Sequence, residues 1–395
     1  MVGQIGKDIT ITHSETHILT RNSCNQMSDC LIIGGGVSGL LTALQLHSAG
    51  LKVTILERGT MGQESSWAGG GIISPLYPWR YPPAVTALAR WSQAHYPNFA
   101  EDLFQRTGID SEYIRNGILI LDLEDSTEAL AWAKHEQIHL EYLTGHHVHD
   151  CEPELNGYDE ALWLPEVGQI RNPRLLKALI QALVLAKIPV LEHHLVQRLK
   201  TPHGKLIGVE VEQHGFFAAE QVVITAGAWS ADILKTVNTI LPITPVRGQM
   251  ILFFTQPGLI SRIVLANDRY VIPRRDGHVL VGSTLEETGF DKSTTQTALE
   301  DLKYAAFSLI PRLADYTVQK QWAGLRPASI NGIPYIGEHP QIKGLYVNTG
   351  HFRNGIVLGL ASARLISDII LGQNPILDTD AYALTAPRES TLVRP

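Results

Sequence analysis

Four residues near the start of the chain have the types and spacing for ligand chemistry. Gly34, Gly36 and Gly39 stand at the G-x-G-x-x-G interval, and Glu57 follows after roughly twenty residues. Gly34 permits a tight turn. Gly36 lets a pyrophosphate approach the backbone, and Gly39 lets a helix pack close to a strand. Val37 and Ser38 lie where that helix begins, and its N-terminus would offer unpaired N–H groups and a positive dipole end to phosphates. The Glu57 carboxylate suits the hydroxyls of an adenosine ribose and repels a 2′-phosphate, which argues against NADP. In a chain with 34 glycines, a plain turn is the competing reading.

The surrounding elements decide between the two. Residues 30–33 form an apolar run suited to a buried parallel strand. Residues 38–49 carry Leu40, Leu41, Ala43, Leu44 and Leu46 and predict a helix buried on more than one side, stopped by Gly50. Residues 53–56 predict a second strand with Glu57 and Arg58 at its end. Strand, glycine turn, helix, strand and acid together specify dinucleotide binding. They do not separate FAD from NAD.

The whole chain sets outer bounds. Its 395 residues admit two domains, or one with a large insertion. A hydrophobic share of 44% and a charged share of 18% describe an ordinary globular protein, and a net charge of −7 supplies no basic field for nucleic acid. No apolar run is expected to span a bilayer, because the nearest, 356–371, contains Arg364 and Asp368. Cys24, Cys30 and Cys151 are too scattered for a disulfide framework, and a reducing cytoplasm is the expected compartment. His139, His146, His147 and His149 match no common metal spacing and are expected to be solvated, so no metal is expected. Residues 1–28 are read as a polar, disordered leader, with Met27 as an alternative start.

Further along, residues 59–74 are rich in small side chains, including Ser65, Ser66, Gly69, Gly70 and Gly71. Three consecutive glycines disfavour a helix or strand interior and suit a backbone pressed against a flat ligand. Helices are expected at 84–107 (broken by Pro97), 126–137, 173–186 and 294–309. Residues 190–196 predict a strand containing His193 and His194. Residues 222–225 predict another, turning out through Ala226 and Gly227. Strands at 250–254, 270–273 and 278–281, with a hairpin at Asp276-Gly277, predict a mostly antiparallel sheet. A strand at 344–348, a polar glycine turn at 350–355 and a helix at 356–371 resume the first domain. The expected fold class is α/β, or α+β overall. A discontinuous Rossmann-like domain (29–85, 160–235, 322–375) would carry a second, antiparallel-sheet substrate domain (86–159, 236–321) and a tail (376–395).

Residues 29–372 resemble the D-amino-acid oxidase superfamily of FAD flavoproteins, and within it the glycine oxidases of thiamine biosynthesis. The likeness rests on Gly34 to Gly39, Glu57, 65–71, 225–229, 270–274, Gly-Leu-Arg-Pro at 324–327 and Gly-His-Phe-Arg-Asn-Gly at 350–355. It implies FAD held through Gly34, Gly36, Gly39 and Glu57, with Val196 meeting the adenine through its backbone. Ser65, Ser66, Gly69 and Gly70 would line the isoalloxazine. Gly350, His351, Arg353, Asn354, Gly355 and Ile356 would place a helix N-terminus near the flavin N1–C2 carbonyl, where reduced flavin carries negative charge. No Cys follows Cys151 and Trp67 stands in the small-residue loop, so FAD is expected to be non-covalent.

The same resemblance implies hydride transfer from a small amino acid to the flavin, with O2 as acceptor. Arginine binds carboxylate bidentately. By resemblance Arg326, read at the end of a polar loop, is the principal carboxylate ligand, with Arg353 and Tyr270 beside it. Arg247 is read as structural. No catalytic base is expected, and deprotonation by His351 is the rival mechanism. Glycine, sarcosine and D-alanine are the implied substrates and a tetramer the implied assembly. A quinone-linked D-amino-acid dehydrogenase and a non-catalytic flavin subunit remain alternatives.

Overall fold

A computed structural model describes residues 28–388. Residues 1–27 of the expected leader, including Met27, and residues 389–395 of the tail lie outside the described residues, while Ser28 opens the first strand instead of ending the leader.

The opening unit forms as its pattern dictates. Strand Ser28–Ile33 pairs in parallel with Val53–Leu56 on one side and with Gly215–Ile224 on the other. Leu345–Thr349 adds a further parallel strand beyond residue 222, and Val190–Leu191 extends the other edge. Side chains alternate across a strand. Cys30 and Ile32 therefore join one core with helices Val37–Ser48, Pro83–Thr107, Asn172–Leu185 and Gly355–Leu371. Leu31 and Ile33 join a second core on the opposite face, with Ala231 and Leu234 of helix Ser230–Lys235. The first strand is buried on both faces, which is why it reads as an unbroken apolar run.

The second half is an eight-stranded sheet, antiparallel at every pair but one. Strands Thr244–Phe254, Arg269–Pro273 and His278–Gly282 lie at its centre, and Gly277 turns the expected hairpin at φ +90°. Helix Gln296–Leu309 covers one face with Leu302 and Ala306. The other face, carrying Met250, Tyr270 and Ile272, packs against Ile72, Leu76 and Tyr77 and so looks towards the first half.

Several expectations change. Helix Pro83–Thr107 runs on through Pro97, because Leu88, Tyr96 and Leu103 pack into the first core. Tertiary packing overrides the local breaker. From residue 86 that helix falls within the expected second domain, but its side chains pack in the core of the first. Strands Glu160–Leu164 and Val318–Ala328 pair in the second sheet, so the expected boundaries at 160 and 322 move. The expected strand at 190–196 is two, Val190–Leu191 and Val196–Lys200, separated by a turn with His193 at φ +59°. Helix Gly355–Leu371 with its leading turn is apolar over 352–371 (mean hydropathy 1.5), a length that can cross a bilayer, but it is mostly buried in the first core. Its Asp368 pairs with Arg364 at 2.7 Å.

Candidate active site

One cleft runs between the two halves. With the solvent at its mouth counted, its first stretch spans about 1200 Å³ and its second about 820 Å³. Val37, Ser65, Ser66, Phe352 and Gly355 wall both, joining a nucleotide end to a substrate end.

The nucleotide end is built mainly of backbone. Gly34 sits at φ +112°, and a Cβ on Gly39 would lie 2.0 Å from the Gly34 carbonyl oxygen. Gly39 is thus the close-packing glycine, and it backs the cleft rather than lining it. A Cβ on Gly36 would meet Ser66 Oγ at 3.2 Å, and that hydroxyl accepts the Val37 N–H at 3.0 Å. Ser66 therefore secures the phosphate turn as well as walling the cleft. Glu57 is 8% exposed. Its Oε2 accepts from Gly35 N–H at 2.7 Å and its Oε1 from Gly59 N–H at 2.8 Å. Each carboxylate oxygen has a further lone pair for a ribose hydroxyl. Arg58 lies 3.4 Å over the Trp229 ring and pairs with Glu64 at 2.8 Å. Ser38, Val196, Ala226 and Gly227 also line this end. Gly350 does not: it turns at φ +83° behind the wall, and its carbonyl accepts from Ser329 at 2.6 Å.

Three polar atoms in the cleft wall are buried without a partner: Asn348 Oδ1, His351 Nε2 and Asn354 Nδ2. Buried polar groups are normally paired. These orphans, with the glycine cradle and the acid, fit a flat polar heterocycle joined to a pyrophosphate and a ribose, which is FAD. Burial pushes the His351 imidazole down to about 4, so it stands neutral.

The substrate end is built of side chains. Arg326 is on strand Val318–Ala328, not on the expected polar loop, and faces Val246 across the ladder. Its side chain lies across Gly248, where a Cβ would come within 2.1 Å of the guanidinium. Ser283 Oγ accepts from Arg326 Nη2 at 2.6 Å, and the Thr284 carbonyl accepts from Nη1 at 3.1 Å. Burial pulls the guanidinium down to about 10, with Tyr270 opposing and the Arg353 charge adding. It remains charged at neutral pH. The Arg353 side chain is 7% exposed, with Asp268 Oδ1 3.9 Å away. Burial raises the Asp268 carboxyl and Arg353 opposes that. Tyr270 donates to Met250 Sδ at 3.4 Å. Gly69, Gly70, Gly71 and Ile356 complete the wall.

The glycine loop is clamped from both sides. Its first residues form a short helix, Ser65–Ala68, whose Ala68 carbonyl accepts from Trp322 Nε1 at 3.0 Å. Arg274 donates to Gly70 O at 2.6 Å and Ile170 O at 3.1 Å. Arg247 is structural as expected, paired with Glu286 and Asp291 at 2.6 Å each.

The family model described as FAD dependent oxidoreductase, DAO, matches residues 29–369. The chain belongs to the DAO family. A relative named glycine oxidase from Pseudomonas putida is 49% identical, covering 89% of this chain and 97% of the relative. A Synechocystis relative named bifunctional protein ThiO/ThiG is 34% identical over 88% of this chain, which spans 52% of that protein. The crystal structure of glycine oxidase from Geobacillus kaustophilus superposes with a TM-score of 0.86 at 29% identity, covering 92% of this chain and all of that one. This DAO-family chain is therefore an FAD-dependent oxidoreductase similar to glycine oxidases.

Sequence reasoning missed Gly248, Met250, Asp268, Ser283 and the bracing role of Arg274. Each acts through a neighbour far away in sequence: Gly248 and Ser283 through Arg326, Met250 through Tyr270, Asp268 through Arg353, and Arg274 through Gly70. A lone signal for one of them was the Gly in Val-Arg-Gly-Gln, a glycine inside a strand pattern that marks close approach of another group.

Proposed function

We propose that this chain oxidises glycine and similarly small amines, sarcosine and D-alanine among them. The imine is hydrolysed to a 2-oxo acid and ammonia, or methylamine in the case of sarcosine, and O2 is reduced to H2O2. The observation that carries this reading is Arg326, half-buried and charged at the end of the cleft whose other end holds Glu57. FAD, when bound non-covalently, supplies the two-electron acceptor that O2 reoxidises.

The remaining work falls to the chain's own residues. Arg326 binds the substrate carboxylate bidentately, Arg353 adds positive charge, and Tyr270 offers its hydroxyl. Ser283 and the Thr284 carbonyl fix the guanidinium beforehand, so orientation is built in rather than acquired. Among the described residues lining the substrate end there is no Asp, Glu, His or Lys to take a proton from Cα. The Cα hydrogen then leaves with its electron pair, driven by the lone pair of a neutral amine. That neutral His351 walls the nucleotide stretch supports this reading over the rival deprotonation. The likeness to the ThiO/ThiG relative supports a place in thiamine biosynthesis.

The test has two parts. Anaerobic glycine should bleach the bound flavin, and air should restore it with peroxide formed. A peroxide assay across glycine, sarcosine, D-alanine, L-alanine and D-phenylalanine should then favour the first three. L-alanine turning over faster than glycine would sink the reading. Bleaching without peroxide would favour a dehydrogenase passing electrons to a quinone.

A further inference from the structure

We infer that Met250 is a site of sulfoxidation by the peroxide formed in the cleft, and that its oxidation switches the enzyme down as turnovers accumulate. The inference rests on the oxidase reading above. Met250 is 2% exposed, the cleft surface included, and it lines the substrate end of the cleft. Its Sδ accepts the Tyr270 hydroxyl at 3.4 Å, which leaves a second sulfur lone pair free. It pairs across the ladder with Gly282, where a Cβ would crowd Sδ at 3.0 Å and Cε at 3.1 Å. Glycine there leaves the thioether its place beside Tyr270.

The chemistry balances with reagents already in the cleft. A sulfur lone pair attacks one peroxide oxygen, an S–O bond forms and the O–O bond breaks. The second oxygen takes the proton of the first and leaves as water. The thioether is oxidised to a sulfoxide and H2O2 is reduced. A sulfoxide oxygen is a far stronger hydrogen-bond acceptor than a thioether sulfur. It would hold the Tyr270 hydroxyl and withdraw it from the substrate carboxylate. Losing a hydrogen bond to a charged group should cost about tenfold or more in kcat/KM.

Met61 provides the internal control. It is the other methionine among the described residues, is more exposed than Met250, and is not in the cleft wall. Peroxide arriving from bulk solvent should modify Met61 first, whereas peroxide formed in the cleft should modify Met250 first. The holoenzyme is turned over with glycine and air, with and without excess catalase, and its peptides are weighed by mass spectrometry. Met250 should gain one oxygen atom in proportion to turnovers, ahead of Met61 and with catalase present. Activity should fall in step. Met250→Leu, measured against its own starting rate, should lose the turnover-linked decline. Peroxide production with Met250 unmodified, or with Met61 modified first, overturns this inference alone. No peroxide from glycine overturns the oxidase reading and this inference with it.

Discussion

The two ends of the cleft are made differently. The nucleotide end is a backbone structure, supplied largely by Gly34, Gly36, Gly39 and Glu57 within one βαβ unit. The substrate end is a side-chain structure, in which Tyr270, Arg326 and Arg353 come from an inner strand and an edge strand of the second sheet and a distant turn. A backbone cradle tolerates almost no added atom, because its neighbours are main chain and cannot move aside. A side-chain cluster tolerates substitution in the fold but not in the chemistry. Mutations should therefore lose the cofactor at one end and the substrate at the other.

The largest effect should follow Gly39→Val. The nearest atom to an added Cβ is a backbone carbonyl oxygen at 2.0 Å, and two further methyl groups would have to fit. Helix Val37–Ser48 would be forced off the strand, at a cost of more than about 4 kcal/mol. The purified variant should carry no flavin, and its melting temperature should collapse. A yellow, stable Gly39→Val would show that the cradle is less rigid than its geometry.

Next comes Arg326→Ala, with the opposite signature. Flavin content should be unchanged, while kcat/KM for glycine should fall by the equivalent of about 2–5 kcal/mol, the cost of leaving a carboxylate without its partner in a partly buried site. Arg326→Lys should recover only part, since an ammonium cannot reproduce the fork. If Arg326→Ala turned over like the parent, Arg353 would become the carboxylate ligand.

The contrast also explains what the sequence reveals. Gly34 to Glu57 is legible because its chemistry and its positioning elements are contiguous, and the spacing itself encodes the contacts. Arg326 is legible as a residue but not as a position. The polar run Gln319-Lys320-Gln321 reads as a loop, and only ten residues of pairing with Thr244–Phe254 make it a strand. Gly248 and Ser283, which seat and hold the guanidinium, lie 78 and 43 residues away in sequence. Pro97 misleads for the same reason: packing of Tyr96 and Leu103 is not written locally.

Glu57→Ala should show an intermediate effect confined to the nucleotide end. It removes the ribose acceptor and leaves the Gly35 and Gly59 N–H groups unpaired, so FAD should bind more weakly by about 1.5–3 kcal/mol. Titration of the stripped protein with FAD measures this. The KM for glycine, at saturating FAD, should be unchanged. A shifted KM would mean that the two ends are coupled through the shared wall at Ser65 and Ser66.

The smallest effect is the part of the pH dependence set by His351 in the nucleotide wall. Burial holds His351 at about 4 in the folded chain, against an ordinary value of 6.5. Between those values the unfolded chain binds the proton and the folded chain does not, so unfolding is favoured as pH falls. The stabilising contribution is complete above pH 6.5 and is lost progressively down to about pH 4. Between pH 7 and pH 5 it should amount to roughly 2 kcal/mol. Arg326 and Arg274, both held at about 10, keep their charge throughout this window and add no slope. Chemical denaturation of the apoprotein at pH 7, 6 and 5 would measure the dependence, with His351→Gln as the reference, since an amide of similar reach does not titrate. The parent should lose stability on acidification more steeply than His351→Gln. Parallel curves would mean that His351 is solvated and charged, and the neutral imidazole placed in the nucleotide wall would have to be withdrawn.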